Sequence, residues 1–303
     1  MHKIIVSENM VNKILRLKNI ETNDENQSIT KSTYQNIVSN FYCAVFLDID
    51  GTVIENKDEN PSPNIVQAIS NLVRRKVTIC FVTGRGRSGA RNALINLASA
   101  ILKSNTDLNW SYFSRWQCIT HHGVYLLTSQ LHTQTGFLSD EEKIIDSHSV
   151  NQFSKIQISI CNSICEVISD LTSSAIEESI EWQDEVIVAD YKITSEPASF
   201  RVITPYTLEE MNSEEFLMLF KKISDTIKKY ANLCEKINVI KGVYQNKIVV
   251  EVGIADKNDA VTVYNNKYLG VDPNKIVRIA DNGAADEVDF TFLNCPQGFS
   301  VNT

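Results

Sequence analysis

The stretch that most constrains the fold is the apolar run 41–47 (FYCAVFL), which is followed directly by DIDGT at 48–52. Aromatic and β-branched residues without polar interruption are typical of a strand buried on both faces. Side chains of an extended chain repeat every two residues, so Asp48 and Asp50 lie on one side of the backbone. Such close carboxylates repel each other unless a cation neutralises them or one stays protonated. We therefore interpret this segment as a strand that ends in a functional acidic pair. We prefer this interpretation to that of a plain solvated turn.

The segments after this strand alternate between helical and strand patterns. Ser62 and Pro63 are typical of a helix start, a capping residue followed by proline in the first turn. The apolar run 77–82 predicts the next buried strand, 88–103 a second helix, and 117–120 a third strand. This order predicts an α/β fold, a Rossmann-like and mostly parallel sheet flanked by helices.

The middle of the chain has a different pattern, which predicts an inserted α+β domain. Helical segments at 150–171 and 213–234 alternate with strand-like segments at 186–188, 199–203, 237–240 and 247–252, the last two forming a hairpin whose loop contains Gly242. The predicted organisation is an N-terminal extension and linker at 1–40, a core at 41–125 and 247–303, and the inserted domain at 126–246.

Charge and composition exclude several classes of function. The formal net charge of −8 argues against a general binder of nucleic acids or anionic membranes, which needs a basic surface. No apolar stretch reaches the length of a membrane-spanning helix, and no secretory signal is evident. The seven cysteines form no CxxC pair, which favours free thiols in a reducing cytoplasm. The oligomeric state is not specified by these features.

Polar residues follow or flank several of the predicted core strands, and ligands of open α/β sheets bind at the carboxyl ends of strands. We expect these residues to meet at one edge of the sheet: Asp48, Asp50, Thr83, Lys257, Asp281 and Asp286. Carboxylates suit Mg²⁺, and a hydroxyl and an ammonium group donate to phosphate oxygens. The set suits a phosphate monoester, with one carboxylate attacking phosphorus and another transferring the proton of the leaving oxygen.

The motifs DIDGT at 48–52, FVTGR at 81–85, Lys257, and Asp281 with Asp286 resemble, in order, the four motifs of haloacid dehalogenase-like phosphohydrolases. The similarity covers the core on both sides of the insert. The insert resembles the α+β cap of the subgroup that contains sugar-phosphate phosphatases and phosphomannomutases. His122-Gly123 stands where the family usually has Asn-Gly.

The resemblance implies a catalytic role for four residues. Asp48 is expected to be the nucleophile and a metal ligand. Asp50 is expected to be the acid/base and to bind the metal through its backbone carbonyl. Thr83 is expected to hydrogen-bond the phosphoryl group, and Lys257 to neutralise charge on Asp48 and on the phosphoryl oxygens.

The resemblance also implies that Asp281 is the second carboxylate ligand of Mg²⁺. Asp286 is expected to complete the metal site, orienting Lys257 or a metal-bound water, and Asp289 is a weaker candidate for that position. The predicted substrate-binding residues are Thr52, Gly84, Arg85 and Arg201. A guanidinium suits phosphate recognition, although Arg201 lies in the inserted domain and could equally pair with a carboxylate there.

The function predicted from these observations is Mg²⁺-dependent phosphatase activity on a small sugar or polyol phosphate, through an aspartyl phosphate on Asp48. A phosphomutase using the same intermediate and a phosphoprotein or phosphotyrosine phosphatase remain alternatives. A non-catalytic binding protein on the same fold is an alternative from another class.

Overall fold

The computed structural model describes residues 44–54, 60–174, 185–281, 289–295 and 297–301. The predicted N-terminal extension at 1–40 and Asp286 lie outside the described residues. The described chain divides into two compact units. The first takes its residues from 44–144, 257–281 and 289–301, and the second from 145–174 and 185–256.

The strands of the described part are, in chain order, β1 Ala44–Leu47, β2 Thr78–Val82, β3 Trp116–Thr120, β4 Tyr125–Thr128, β5 Asp140–Lys143, β6 Glu185–Val188, β7 Tyr191–Glu196, β8 Ser199–Thr207, β9 Asn238–Tyr244, β10 Lys247–Gly253, β11 Ile276–Ala280 and β12 Gly298–Ser300. The α-helices are α1 Pro63–Arg74, α2 Arg87–Ser104, α3 Ser147–Thr172, α4 Glu214–Lys228, α5 Lys257–Tyr264 and α6 Phe290–Leu293. A π-helical segment, Asn265–Leu269, follows α5. None of the described helices combines the length and the apolar character that crossing a lipid bilayer requires.

A seven-stranded sheet in the order β12-β11-β1-β2-β3-β4-β5 forms the centre of the first unit. The strands β12, β11, β1, β2 and β3 pair in parallel, whereas β4 and β5 add antiparallel at one edge. In this register Leu47, the last residue of β1, is aligned with Phe81 of β2 and Ile279 of β11. The predicted α/β class with a mostly parallel sheet is confirmed.

Both faces of this sheet are covered, as the apolar sequence of β1 predicts. Val45 and Leu47 pack on the face that also carries α1 and α2. Ala44 and Phe46 pack on the opposite face, against residues of α5 and α6. All four residues of β1 are buried. The strand therefore fixes the centre of the core, because only a strand between two helical layers buries consecutive apolar side chains.

The predicted start of α1 is confirmed at residue level. Ser62 has an extended backbone, and its Oγ accepts a hydrogen bond from the Ile65 N–H at 3.4 Å. Pro63 occupies the first helical turn, where its missing N–H costs no intrahelical hydrogen bond. The helix buries one stripe, which includes Ile65, Ile69 and Val73.

The second unit has its own sheet and its own core. Five antiparallel strands in the order β6-β7-β8-β10-β9 make the sheet. Apolar side chains of α3, α4 and the sheet form a single cluster, with Phe153, Ile164, Phe200, Phe216 and Val250 among its members. This unit is the α+β insertion that the middle of the sequence predicts.

The predicted domain boundaries after residues 125 and 246 differ from the division of the units, which falls after 144 and after 256. β4 and β5 extend the first sheet, and β10 pairs with β8 and β9 in the second. The hairpin turn consists of Gln245 and Asn246, both with positive φ, so Gly242 lies within β9 rather than in the loop. A strand pattern in the sequence identifies a strand but not the strands with which it pairs. The predicted boundaries therefore differ from the division of the units.

Candidate active site

Four polar residues lie at one edge of the first sheet, directly after parallel strands. Asp48 follows β1, Thr83 follows β2, His121 follows β3 and Asp281 follows β11. Parallel strands that are neighbours in a sheet end at the same edge. The Asp48 N–H donates to the Ile279 carbonyl at 2.8 Å, and the Thr83 N–H to the Ile119 carbonyl at 2.9 Å. These hydrogen bonds continue the pairing of the strands and therefore fix the positions of Asp48 and Thr83 at the edge of the sheet.

A buried ion-pair network lies at this edge. Lys257, the first residue of α5, donates from Nζ to Asp48 Oδ1 at 2.8 Å and to Asp289 Oδ1 at 2.5 Å. Asp48 and Lys257 each expose 4% of their surface, Asp281 6% and Asp289 0%. Charged groups are rarely buried so completely without a partner. The structure therefore brings Asp48, Lys257 and Asp281 together, as the sequence predicts.

Asp289 is the residue of this network that sequence reasoning underrated. It lies immediately before α6, and its carboxylate makes the lysine contact that the sequence analysis assigned first to Asp286. Asp286 itself lies outside the described residues. The available signal was weak, because acidic residues are frequent in this part of the chain and spacing alone does not say which of them faces the lysine.

Burial raises the pKa values of Asp48 and Asp281 at this edge. For Asp48, burial is the largest cause; Lys257 opposes it, Asp289 and Asp281 reinforce it, and the pKa lies well above its usual value. Burial and then the Asp289 carboxylate raise the pKa of Asp281 to about 7. Burial alone would lower the pKa of Lys257, but Asp289 and Asp48 outweigh it and raise that pKa.

The donor set at this edge fits a divalent cation. Oxygens of Asp48, Asp281 and Asp289 lie within 4.8 Å of one another. When ionised, the three carboxylates and the one ammonium leave two negative charges in a buried region. Burial is the largest cause of the raised pKa values of Asp48 and Asp281, and the neighbouring carboxylates add to it. Hard oxygen ligands and an excess of two negative charges suit Mg²⁺.

Gly51 lies against the carboxylate of Asp281. Its φ of +71° belongs to the left-handed region, which favours glycine. A Cβ at this position would lie 1.8 Å from Asp281 Oδ2, so no larger residue fits without a shift. Thr52 follows, and its buried Oγ1 has no hydrogen-bond partner within the described parts of the chain. The glycine therefore allows the loop after β1 to approach the Asp281 carboxylate closely.

Asp50, the predicted acid/base, forms an ion pair with Arg85. The Arg85 Nε lies 3.0 and 2.9 Å from the two Asp50 carboxylate oxygens, and Nη2 lies 2.6 Å from Oδ1. Bidentate pairs of this kind fix the orientation of a carboxylate as well as stabilising it. Arg85 therefore contacts the catalytic candidate directly, a contact that the sequence analysis did not anticipate.

The loop after β3 supports the loop that carries Thr83, Gly84 and Arg85. The His121 N–H donates to the Arg85 carbonyl at 3.1 Å, and the His122 N–H to the Thr83 carbonyl at 3.0 Å. Both histidines have positive φ, 50° and 54°. A Cβ at Gly84 would lie 2.3 Å from the His122 ring, which explains the glycine. The Thr83 Oγ1 accepts from the Arg85 N–H at 3.0 Å.

Arg201, a predicted substrate contact, belongs to the second unit, where it lies on β8. Its guanidinium pairs with Glu251 of β10 at 2.8 Å and with Glu196 of β7 at 3.6 Å. The guanidinium carbon also lies 5.1 Å from the centre of the Tyr244 ring. Arg201 thus has the carboxylate partner that the sequence analysis named as its alternative.

Comparison with known protein families identifies the chain. Residues 45–284 match the family described as haloacid dehalogenase-like hydrolase, and this match covers most of the 303 residues. The chain belongs to this family. The predicted family and the predicted hydrolase class are therefore confirmed, and the second unit is the cap domain of a haloacid dehalogenase-like hydrolase.

Solved structures with a similar fold include several of IMP-nucleotidase from Plasmodium falciparum. An IMP-bound mutant has a TM-score of 0.63 at 14% identity, with 100% of this chain and 79% of that chain covered. An N-terminally truncated form has a TM-score of 0.58 at 14% identity, with 97% and 76% covered. A further structure of IMP-nucleotidase from Plasmodium falciparum has a TM-score of 0.60 at 14% identity, with 97% and 66% covered. No curated protein sequence matches significantly.

We predict that Gly51→Ala lowers the melting temperature of the first unit. The left-handed φ costs an L-residue roughly 1–2 kcal/mol, and the new methyl group additionally displaces the Asp281 carboxylate. Gly89→Ala is the matched control, because a Cβ at Gly89 meets nothing within 4 Å. Gly89 lies inside α2, so Gly89→Ala should raise the free energy of unfolding by about 0.5–1 kcal/mol. Thermal unfolding followed by circular dichroism measures both, and equal melting temperatures for Gly51→Ala and wild type contradict the proposed contact.

Proposed function

We propose that this haloacid dehalogenase-like hydrolase is a Mg²⁺-dependent phosphoric monoester hydrolase with Asp48 as its nucleophile. The observation that carries the proposal is the position of Lys257 Nζ, within hydrogen-bond distance of both Asp48 and Asp289 in a buried acidic cluster. A lysine in this position favours the ionised form of Asp48 against the effect of burial and leaves a cationic donor beside the place where a transferred phosphoryl group would lie. The fold similarity to a nucleotidase is consistent with this chemistry.

In the proposed first step a carboxylate oxygen of Asp48 attacks the phosphorus of the ester. The new bond joins Asp48 to phosphorus, the bond from phosphorus to the ester oxygen breaks, and Asp50 gives a proton to the leaving oxygen. In the second step water attacks the aspartyl phosphate, Asp50 takes its proton, and Asp48 is released with inorganic phosphate. Lys257 and the hydroxyl of Thr83 donate to the phosphoryl oxygens in both steps.

The carboxylates of Asp48 and Asp281 would hold Mg²⁺, together with the backbone carbonyl of Asp50. Asp286 stays a candidate ligand from the family resemblance. When bound, the ion neutralises charge on the phosphoryl oxygens and orients them for attack in line with the leaving oxygen. Asp289 takes a separate role, because its carboxylate orients Lys257.

Arg85 supports substrate binding in two ways. Its ion pair orients Asp50 before substrate binds, and its guanidinium suits a phosphate or hydroxyl group. Thr52 and Gly84 lie in the loops that begin at the same edge of the sheet, so their backbone and hydroxyl groups suit contacts to the phosphate. Arg201 is proposed to act at the substrate from the cap domain while its carboxylate partners fix its orientation.

The proposed substrates are small phosphate monoesters of sugars or polyols. The second candidate class is nucleoside 5′-monophosphates, because a fold similar to IMP-nucleotidase extends over the whole chain. Both classes carry phosphate on a sugar or polyol hydroxyl, so one site serves either. All six cysteines within the described residues are free thiols, which favours a reducing compartment and therefore the cytoplasm.

We predict that Asp48→Asn lowers kcat by at least about a thousandfold, because an amide oxygen replaces the attacking carboxylate. Phosphate release from p-nitrophenyl phosphate with Mg²⁺ measures the effect. Asp107→Asn is the control, since Asp107 forms an exposed pair with Arg74 in the same unit. Its rate should stay within about twofold of wild type, because exposed pairs contribute little. Equal rates for Asp48→Asn and wild type would remove Asp48 as nucleophile.

We predict that Mg²⁺ raises the melting temperature of the wild-type protein and leaves that of Asp281→Asn almost unchanged. A ligand present at a hundred times its dissociation constant stabilises the folded state by about 2.7 kcal/mol. NaCl at the same ionic strength is the salt control. A wild-type melting temperature that does not respond to Mg²⁺ contradicts the metal site.

We predict the highest kcat/KM for small esters in a panel of hexose phosphates, polyol phosphates, nucleoside 5′-monophosphates and a phosphotyrosine peptide. Free phosphate and isomerised sugar phosphate are measured together, so that hydrolysis is distinguished from phosphoryl transfer back to the substrate. A preference for the phosphopeptide contradicts the proposed substrate class. An isomer formed without free phosphate identifies a mutase.

A further inference from the structure

Arg278 lies in the middle of β11, where a charged residue is unexpected. Every residue of this strand is buried. Its neighbours on the same face, Ile276 and Ala280, belong to the apolar cluster between the sheet and α5 and α6. An apolar side chain would fill this position without the cost of removing a guanidinium from water, which is several kcal/mol per buried ion. The presence of arginine therefore requires a specific reason.

The guanidinium of Arg278 links two helices. Its Nη1 donates to Asn258 Oδ1 at 2.6 Å and to the carbonyl of Phe292 at 3.1 Å. The guanidinium carbon also lies 5.7 Å from the centre of the Phe292 ring. Asn258 belongs to α5 and Phe292 to α6. The Nη1 atom of Arg278 thus connects the first turn of α5 with α6.

Each of these helices begins at a residue of the ion-pair network. Lys257 is the first residue of α5 and directly precedes Asn258. Asp289 directly precedes α6, and its carbonyl accepts from the Leu293 N–H at 2.8 Å. The Arg278 hydrogen bonds therefore fix the separation of the two chain segments whose side chains meet at 2.5 Å.

We propose that Arg278 is a positioning residue that holds the ammonium group of Lys257 against Asp289 and Asp48. The expected effect of Arg278 on kcat rests on the proposed phosphatase function, whereas its expected effect on the position of Lys257 does not. Lys257 must lie within hydrogen-bond distance of the attacking carboxylate and of the phosphoryl oxygens. A displacement of about 1 Å at such a group costs up to a hundredfold in rate, so an indirect contact of this kind controls kcat.

The first test compares Arg278→Met with Arg91→Met. Arg91 is the matched control because its guanidinium also donates to two carbonyls of the first unit, those of Phe137 at 2.9 Å and Thr135 at 2.7 Å. Arg91 belongs to α2, and neither of these carbonyls belongs to α5 or α6. With p-nitrophenyl phosphate and Mg²⁺, Arg278→Met should lower kcat by about 10- to 100-fold and change KM by less than about threefold.

Arg91→Met should leave both constants within about twofold of wild type. Equal losses of kcat in the two variants overturn the proposal, as does a change confined to KM. Asn258→Ala removes one acceptor while leaving the guanidinium in place, and should lower kcat in the same direction by a smaller factor. This variant decides the outcome if Arg278→Met does not fold.

The second test does not depend on activity. Urea unfolding of Arg278→Met, Asp289→Asn and the double variant forms a double-mutant cycle, with Asn258→Ala replacing Arg278→Met if the latter does not fold. If Arg278 positions the lysine contact of Asp289, the losses in the free energy of unfolding from Arg278→Met and Asp289→Asn should not add up in the double variant. The losses from Arg91→Met and Asp289→Asn should add up. Additivity in both cycles overturns the proposal. If no ester is hydrolysed by the wild type, the proposed function fails, and this cycle still decides the role of Arg278.

Discussion

The interaction on which the rest of this structure depends is the contact of one buried ammonium group with two buried carboxylates. An isolated buried charge costs several kcal/mol, and a whole domain is stable by only about 5–15 kcal/mol. Lys257 and, as we propose, a divalent cation therefore stabilise the carboxylates of Asp48, Asp281 and Asp289. The excess of negative charge in this cluster suits it to bind a cation and, as we propose, to support phosphoryl transfer.

The topology of the sheet assembles this cluster from distant parts of the chain. Asp48 and Lys257 are separated by 209 positions, with the whole cap domain between them. The central position of β1 between β11 and β2 puts Asp48 next to Asp281 and Thr83. Helix α5 packs on one face of the sheet and directs its first residue to the same edge. A parallel sheet with helices on both faces thus brings the four motifs together without any of them being adjacent in sequence.

Sequence reasoning was least informative where a residue has several chemically equivalent partners. Asp286 and Asp289 are both acids close to the last motif, and only packing of α6 shows that Asp289 contacts Lys257. Arg85 and Arg201 are predicted substrate contacts, and the structure gives each a carboxylate partner, an alternative that the sequence indicated for Arg201 alone. The predicted domain boundaries differ from the division of the two units for a related reason, because β4, β5 and β10 have similar strand patterns and differ only in which sheet they join.

The sequence by itself determined the fold class and the family and predicted candidate site residues, because buried strands, helix caps and motif order are local features that a single chain displays. The tertiary structure decided which side chains meet: the lysine contact of Asp289, the pairing of Asp50 with Arg85, and the hydrogen bonds of Arg278 to Asn258 and Phe292. These contacts join residues far apart in the chain. Their geometry follows from how strands and helices pack, and pattern along the sequence carries no record of it.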